Sequence, residues 1–145
     1  MRTIKFKAKT LEDGEWIVGD LIHLVDGVYI SNDNGNNMAQ VNPDTVCQAT
    51  GFLDKNGKEI YDGDILRSDE YPFSCMEDDA RDNYFGIIEW SDEKAMFLLT
   101  YVKNPKSYVC GIYYGLYDEI KQQKLEYFEI VGDIHDQEWK RKLNL

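Results

Sequence analysis

Gly51-Phe52-Leu53-Asp54-Lys55-Asn56-Gly57-Lys58-Glu59-Ile60-Tyr61-Asp62-Gly63-Asp64-Ile65-Leu66 sets two turn signals between three apolar segments. Asn56-Gly57, with Gly51 to Leu53 before it and Glu59 to Tyr61 after it, is a hairpin signature, because Asn and Gly both accept positive φ. Asp62-Gly63-Asp64 predicts a sharp turn before Ile65-Leu66 resumes extended structure, since Asp and Gly supply local hydrogen bonds and backbone freedom. Strands joined by tight turns are therefore the reading from which the rest of the chain is taken.

Toward the N-terminus, Ile4, Phe6 and Ala8 alternate with Lys5, Lys7 and Lys9, a period of two that predicts a half-buried strand over residues 3 to 9. Trp16-Ile17-Val18 and Leu21 to Val25 read as extended. Asp26-Gly27 then leads into Val28-Tyr29-Ile30, a second hairpin signature that requires positive φ at both turn residues. Ser31 to Asn37 holds four Asn, one Asp and one Gly without an apolar side chain, so an exposed loop is expected.

Toward the C-terminus, residues 67 to 83 hold six carboxylates, Asp69, Glu70, Glu77, Asp78, Asp79 and Asp82, against Arg67 and Arg81, with Pro72 between them. That composition suits a long insertion or hairpin tip. Tyr84 to Trp90 and Ala95 to Val102 read as two strands with a tight connection. Tyr108 to Leu116 reads as an apolar segment bent at Gly111 and Gly115, and Tyr127 to Ile134 as the last strand. Leu116 to Leu125 is given a helical reading, and Asp136 caps a short helix through Trp139 and Leu143. Many short strands with almost no amphipathic helix predict a mainly β protein. The expected form is a small antiparallel β-barrel or sandwich, with a strand succession like that of SH3-like barrels and a short C-terminal helix. One domain over residues 1–145 is expected, with an N-terminal β subdomain 1–50 packed on an SH3-like barrel 51–135 as its internal division.

Composition narrows the chemistry. With 43% hydrophobic residues and 3 Pro in 145, the chain is a packed globular protein and not a disordered one. Its 27 acidic and 16 basic residues give a net charge of −11, which opposes binding to a phosphate backbone. Three well-spaced cysteines, Cys47, Cys75 and Cys110, cannot all pair within one chain, and the N-terminus lacks an apolar signal core, so a cytoplasmic location without a membrane span is expected.

Candidate catalytic groups are few. His23 and His135 could pair with a cysteine only through the fold, and their strand and turn settings favour structural roles. No two histidines have zinc-ligand spacing. Setting Gly35 at the sixth position of a calcium loop puts Ile30 first and Val41 last; setting Gly57 there puts Phe52 first and Gly63 last. Neither supplies the oxygen ligands such a loop needs. Glu77-Asp78-Asp79 with Asp82 reads as a solvated charge run rather than a cation site, and no phosphate-binding glycine loop or serine-hydrolase elbow is present. No catalytic, metal or cofactor residue is therefore assigned. Asp54, Asn56, Gly57, Asp62, Gly63 and Asp64 are assigned turn roles. Tyr101, Tyr108, Tyr113, Tyr114 and Tyr117 are dense enough to form a core or a protein interface, but only Lys103 and Lys106 interleave with them, too few for a single-strand groove.

The stretch from Val41-Asn42-Pro43-Asp44-Thr45-Val46-Cys47-Gln48-Ala49-Thr50 through Gly51 to Ile65 resembles the signature of the YopX-like proteins of phages and prophages. Ile4-Lys5-Phe6-Lys7-Ala8 is similar to the strand that opens that family, and Glu129-Ile130-Val131-Gly132-Asp133-Ile134 to the one that closes it. Residues 67 to 85 and 103 to 126 match no motif. The resemblance implies a mainly β, phage-encoded protein and supplies no catalytic residue to carry over.

The function expected from all this is a non-enzymatic interaction module that binds itself or another protein. A basic host protein, drawn by the acidic surface, is one such partner. A metal-assisted hydrolase built from scattered carboxylates and a nucleic-acid-binding SH3-like module are the alternatives.

Overall fold

The structure, a computed structural model, describes residues 4–32, 35–68, 84–103, 108–109, 112–113 and 117–145; the side chains at 84, 101–103, 108–109, 112–113 and 117–118 are outside that description. The chain divides into two compact units, Met1–Gly51 and Phe52–Leu145.

In the first unit β1 (Phe6–Lys9), β2 (Trp16–Leu24), β3 (Gly27–Asn32), β4 (Asn37–Gln40) and β5 (Cys47–Leu53) form a sheet in the order β4-β3-β2-β1-β5. Neighbours run antiparallel; Ala8 lies opposite Ile17 and Leu21 opposite Ile30. The predicted alternation of β1 is present: Ala8 is fully buried with Ile30 and Val41, and Phe6, Ile17, Leu21, Val28 and Val46 pack around them. A bridge from Thr10 to Val41, with the Asn42 N–H donating to the Lys9 carbonyl at 2.8 Å, ties the end of β1 to the chain leaving β4. The 3-10 turn Pro43–Thr45 follows, capped by the Asn42 side chain, which accepts from the Asp44 N–H at 3.0 Å.

Gly19 marks a close approach inside this sheet. A Cβ there would lie 2.0 Å from the Ser31 carbonyl oxygen, so the pairing of β2 with β3 needs glycine at that point.

In the second unit β6 (Glu59–Tyr61) follows the end of β5. The strands β7 (Asp64–Ser68), β8 (Tyr84–Ser91), β9 (Met96–Lys103), β12 (Tyr117–Glu119) and β13 (Glu129–Asp133) form a sheet in the order β12-β9-β8-β7-β13. β10 (Tyr108–Val109) and β11 (Ile112–Tyr113) pair as a small hairpin. α1 spans Gln122–Leu125 and α2 Gln137–Leu143.

Both faces of the five-stranded sheet are covered. Leu66, Ile88 and Leu99 join Ile60, Phe97, Ile120, Leu125 and Phe128 in one cluster. Ile65, Phe85 and Ile87 join Leu143, Val131, Ile134 and Trp139 in another. This explains why these strands read as apolar doublets, Ile65-Leu66 and Ile87-Ile88, and not as alternation. Each fully buried side chain of this kind contributes about 1.5–3 kcal/mol. Gly132 lets α2 lie on β13: a Cβ there would meet Trp139 Cδ1 at 2.2 Å.

The mainly β, antiparallel class with a short C-terminal helix is what the sequence predicts. Asp136 does cap α2, its carboxylate accepting from the Glu138 N–H at 2.9 Å. Local details differ. Of the segment Leu116 to Leu125, among the described residues only α1 is helical, because β12 takes Tyr117–Glu119 into the sheet beside β9. The loop expected over Ser31 to Asn37 is shorter, since β3 runs through Asn32, Ser31 is buried, and β4 starts at Asn37.

Both glycine turns form hairpins without the doubly positive φ that their sequences suggest. Among the described residues, the only non-glycine positions with positive φ are Ala95 and Asn144. Leu24 pairs with Gly27, so Val25 and Asp26 make the first turn and Gly27 opens β3 at φ 154°. At the second turn the Gly57 N–H donates to the Asp54 carbonyl at 3.0 Å and the Asp54 N–H to the Lys58 carbonyl at 2.8 Å. Lys55-Asn56-Gly57 is thus a three-residue loop with Gly57 alone left-handed, at φ 77°.

Candidate functional site

Two carboxylates of the distinctive central block, Asp54 and Asp64, bond to the backbone. Asp54 is only 4% exposed. Its Oδ1 accepts from the N–H groups of Asn56 and Lys58, both at 2.9 Å, and its Oδ2 from the Ile130 N–H at 3.0 Å. The Lys55 N–H completes the link by donating to the Phe128 carbonyl at 2.8 Å. One carboxylate therefore closes its own turn and holds that turn on the chain entering β13, 76 residues away. Three backbone N–H donors thus engage its two oxygens.

Asp64 is 1% exposed and accepts from the Tyr61 N–H at 2.8 Å. Between them Gly63, at φ 82°, donates its N–H to the Ile88 carbonyl at 2.7 Å and accepts from the Ile134 N–H at 2.9 Å. The turn at Asp62-Gly63-Asp64 thus joins β8 to the end of β13. Asp62 titrates above the ordinary carboxylate range, because burial disfavours its charge and Glu89 and Asp64 add negative potential, partly offset by the Gly63 N–H. Burial, and then the nearby Glu59 carboxylate that accepts its hydroxyl at 3.1 Å, likewise push Tyr61 upward.

Around this centre Glu129 meets Arg67, and Lys55 at 3.7 Å, in partly exposed ion pairs worth little each. Sequence reasoning missed Gln122. Its side-chain amide accepts from the Leu53 N–H at 3.0 Å and returns a bond to the Leu53 carbonyl at 2.9 Å, standing in for a missing strand. A lone glutamine in a polar stretch carries no pattern that marks this role.

Among the described residues the two histidines and Cys47 stand on separate elements. His23 is exposed on β2 opposite Val28, and the His135 N–H donates to Asp133 at 2.8 Å. Cys47 is a buried thiol that donates to the Thr45 carbonyl. Among the described residues no three His, Cys, Asp or Glu side chains stand where they could share a metal ion. Cys75, Cys110, Tyr114 and the acidic stretch 69–82 lie outside the described residues, as do the side chains of Tyr101, Tyr108, Tyr113 and Tyr117.

The first unit offers a different kind of surface. An open groove of about 440 Å³ runs between Thr10, Leu11 and Glu12 on one side and Met38, Ala39 and Gln40 on the other. It contains one carboxylate, Glu12, and one hydroxyl, Thr10. Next to it, β2 is apolar on both sides. Ile17 and Leu21 point into the core, which leaves Trp16, Val18, Ile22 and Leu24 on the outer face, interrupted by Asp20. Val18 is 41% exposed, Leu24 48%, and Val25 at the hairpin tip is fully exposed.

Opposed residues of an antiparallel pair share a face, so Lys7 stands beside Val18 and Lys9 beside Trp16. Their ammonium groups lie 4.9 Å and 5.4 Å from the Trp16 ring centroid.

Among the described residues no helix is long and apolar enough to cross a membrane. No curated protein matches the chain. The family model described as YopX protein matches residues 5–138, which takes in both units, the central block and the start of α2. The chain therefore belongs to the YopX protein family.

Proposed function

We propose that this chain is a non-enzymatic, phage- or prophage-encoded interaction module of the bacterial cytoplasm, and that it binds protein through the outer face of β2. The observation that carries this reading is the exposure of Val18 and Leu24 on a strand whose other face already fills the core. An antiparallel sheet with one solvated face ordinarily alternates apolar with polar residues, and contiguous exposed apolar groups mark contact surfaces. Family membership supports the phage origin, and the engagement of Asp54 and Asp64 by backbone donors supports the non-enzymatic part.

Capture from host lysate by the wild-type protein and by a Val18→Ser/Leu24→Ser variant tests the proposal. The expected result is a specific partner retained by the first and lost by the second. Identical recoveries would remove the outer face from consideration.

A second reading, capture of a basic partner, rests on the net charge of −11. It predicts recovery at low salt that fades at moderate salt and is indifferent to Val18. The hydrolase alternative predicts saturable magnesium or manganese binding in calorimetry that Asp78→Asn with Asp79→Asn abolishes. The nucleic-acid alternative predicts a steeply salt-dependent shift with DNA or RNA.

A further inference from the structure

We infer that Asn56 is a modification site. Its side-chain amide cyclises onto the Gly57 nitrogen and hydrolyses, at a rate set by opening of the turn that Asp54 holds, and the product loosens that turn from the chain entering β13.

The two reacting groups are adjacent and open to solvent. Asn56 and Gly57 are both exposed. Gly57 has no side chain to screen its nitrogen, and nothing lies within 4 Å of where a Cβ would sit. When the Gly57 nitrogen bonds to the Asn56 side-chain carbonyl carbon, a five-membered succinimide closes and the amide group leaves as ammonia, taking up the Gly57 proton. Water then opens the ring at either carbonyl. One opening gives aspartate; the other gives isoaspartate, whose main chain runs through Cβ and Cγ.

A hydrogen bond restrains the attacking atom. The Gly57 N–H donates to the Asp54 carbonyl at 3.0 Å, so the nitrogen must give up its proton in front of an oxygen that repels the resulting negative charge. The turn does not lift away by breaking that bond alone. The Asp54 carboxylate also accepts from the N–H groups of Asn56, Lys58 and Ile130, and the Lys55 N–H donates to the Phe128 carbonyl. Attack therefore waits for a local opening that releases several bonds together.

The product acts back on the same bonds. Isoaspartate places one extra main-chain atom between residue 56 and Gly57. The bonds from the Gly57 N–H to the Asp54 carbonyl, from the Lys58 N–H to Asp54 Oδ1 and from the Asp54 N–H to the Lys58 carbonyl all close rings through that point. Each ring grows by one atom, and a new carboxylate is set beside the buried Asp54. The carboxylate of Asp54 then loses its hold on Ile130, so conversion shortens the life of the folded chain.

The test follows the intact protein at mildly alkaline pH, where the amide proton is lost more readily. Peptide mapping by mass spectrometry separates Asn56 from the second Asn-Gly pair, Asn34-Gly35, and an isoaspartyl methyltransferase marks the isoaspartate. Native conversion should be slow but measurable, and about tenfold or more faster in the urea-denatured chain. Asp54→Ser, which keeps an oxygen for the neighbouring N–H groups and drops the reach to Ile130, should convert several-fold faster than wild type while folded. The ratio of native to denatured rates needs no variant, so it decides the matter even where Asp54→Ser does not fold. Asn56→Gln should remove the site. Asn56→Asp, which adds the charge without the extra main-chain atom, should melt close to wild type, and the purified isoaspartate form should melt lower.

Equal rates in the native and denatured chains overturn the inference, as does the absence of any Asn56 product from the native chain or a folded Asp54→Ser that converts no faster than wild type. An isoaspartate form that melts with the unmodified protein overturns the loosening of the turn.

Discussion

The two units treat their unusual residues in opposite ways. In Phe52–Leu145 the residues that look chemical are buried and engaged by backbone groups, Asp54 and Gly63 by those of distant strands and Asp64 by the nearby Tyr61 N–H. In Met1–Gly51 the residues that look like ordinary strand formers, Trp16, Val18, Ile22 and Leu24, occupy an outer face where solvation would favour polar side chains. A distinctive polar block thus marks architecture, and an unremarkable apolar run supplies the face proposed above as a contact surface. Substitutions in the two places should therefore diverge in their effects on stability and on binding.

The largest loss of stability is expected at Asp54. Asp54→Ala strands the N–H groups of Asn56, Lys58 and Ile130, and should cost about 3–4 kcal/mol in denaturant or thermal unfolding. Asp54→Asn keeps one acceptor oxygen and should lose about half as much. A near-neutral Asp54→Ala that also abolished binding would reverse the contrast and make the central block functional.

Gly19→Ala should come next, at about 2–3 kcal/mol. The added methyl meets the Ser31 carbonyl oxygen at 2.0 Å, a backbone atom that moves only if β3 shifts against β2. Because this same pairing holds the outer face in register, the variant should lose partner capture along with stability.

How much of this could be read beforehand depended on where the information lies. Alternation in Phe6 to Lys9, the Asp136 cap and the two glycine hairpins depend on neighbours in sequence, and those elements were legible. Asp54 was assigned a turn role, which is half of what it does. Its bond to Ile130 crosses 76 residues and leaves no local trace. Gln122 was invisible for the same reason: its partner Leu53 is 69 residues away. The turn details failed because Asp26-Gly27 and Asn56-Gly57 permit a doubly positive φ without requiring it. The first turn instead falls on Val25-Asp26 with Gly27 in β3, and in the second Gly57 alone is left-handed. The outer face of β2 was passed over because an apolar nonapeptide reads as a strand whichever side is covered.

A smaller effect, of opposite sign, belongs to Asp62. Its carboxyl titrates above the usual value of 3.8 in the fold, so between the unfolded and folded pKa values the native state binds more protons than the unfolded chain. Stability should therefore fall as pH rises from about that value through the folded pKa, and stay lower above it. Asp62→Asn removes the penalty while keeping an acceptor for the Gly63 N–H. It should raise the thermal midpoint at pH 7 and give little gain in acid, where the wild-type group is already neutral. Equal gains at both pH values would place the cause in the turn and not in the charge.

The smallest effect on stability is expected where the effect on binding is largest. Val18 is 41% exposed and its strand is anchored by Ile17 and Leu21 on the other face, so Val18→Ser withdraws little apolar area from the interior. A change within about 0.5 kcal/mol is expected, as for surface positions in general. Valine at such a position adds strand propensity but little buried area. If Val18→Ser instead destabilised the protein by 2 kcal/mol or more, on the order of a core truncation, the side chain would be part of the packing. The outer face would then resemble the central block, and the contrast between the units would disappear.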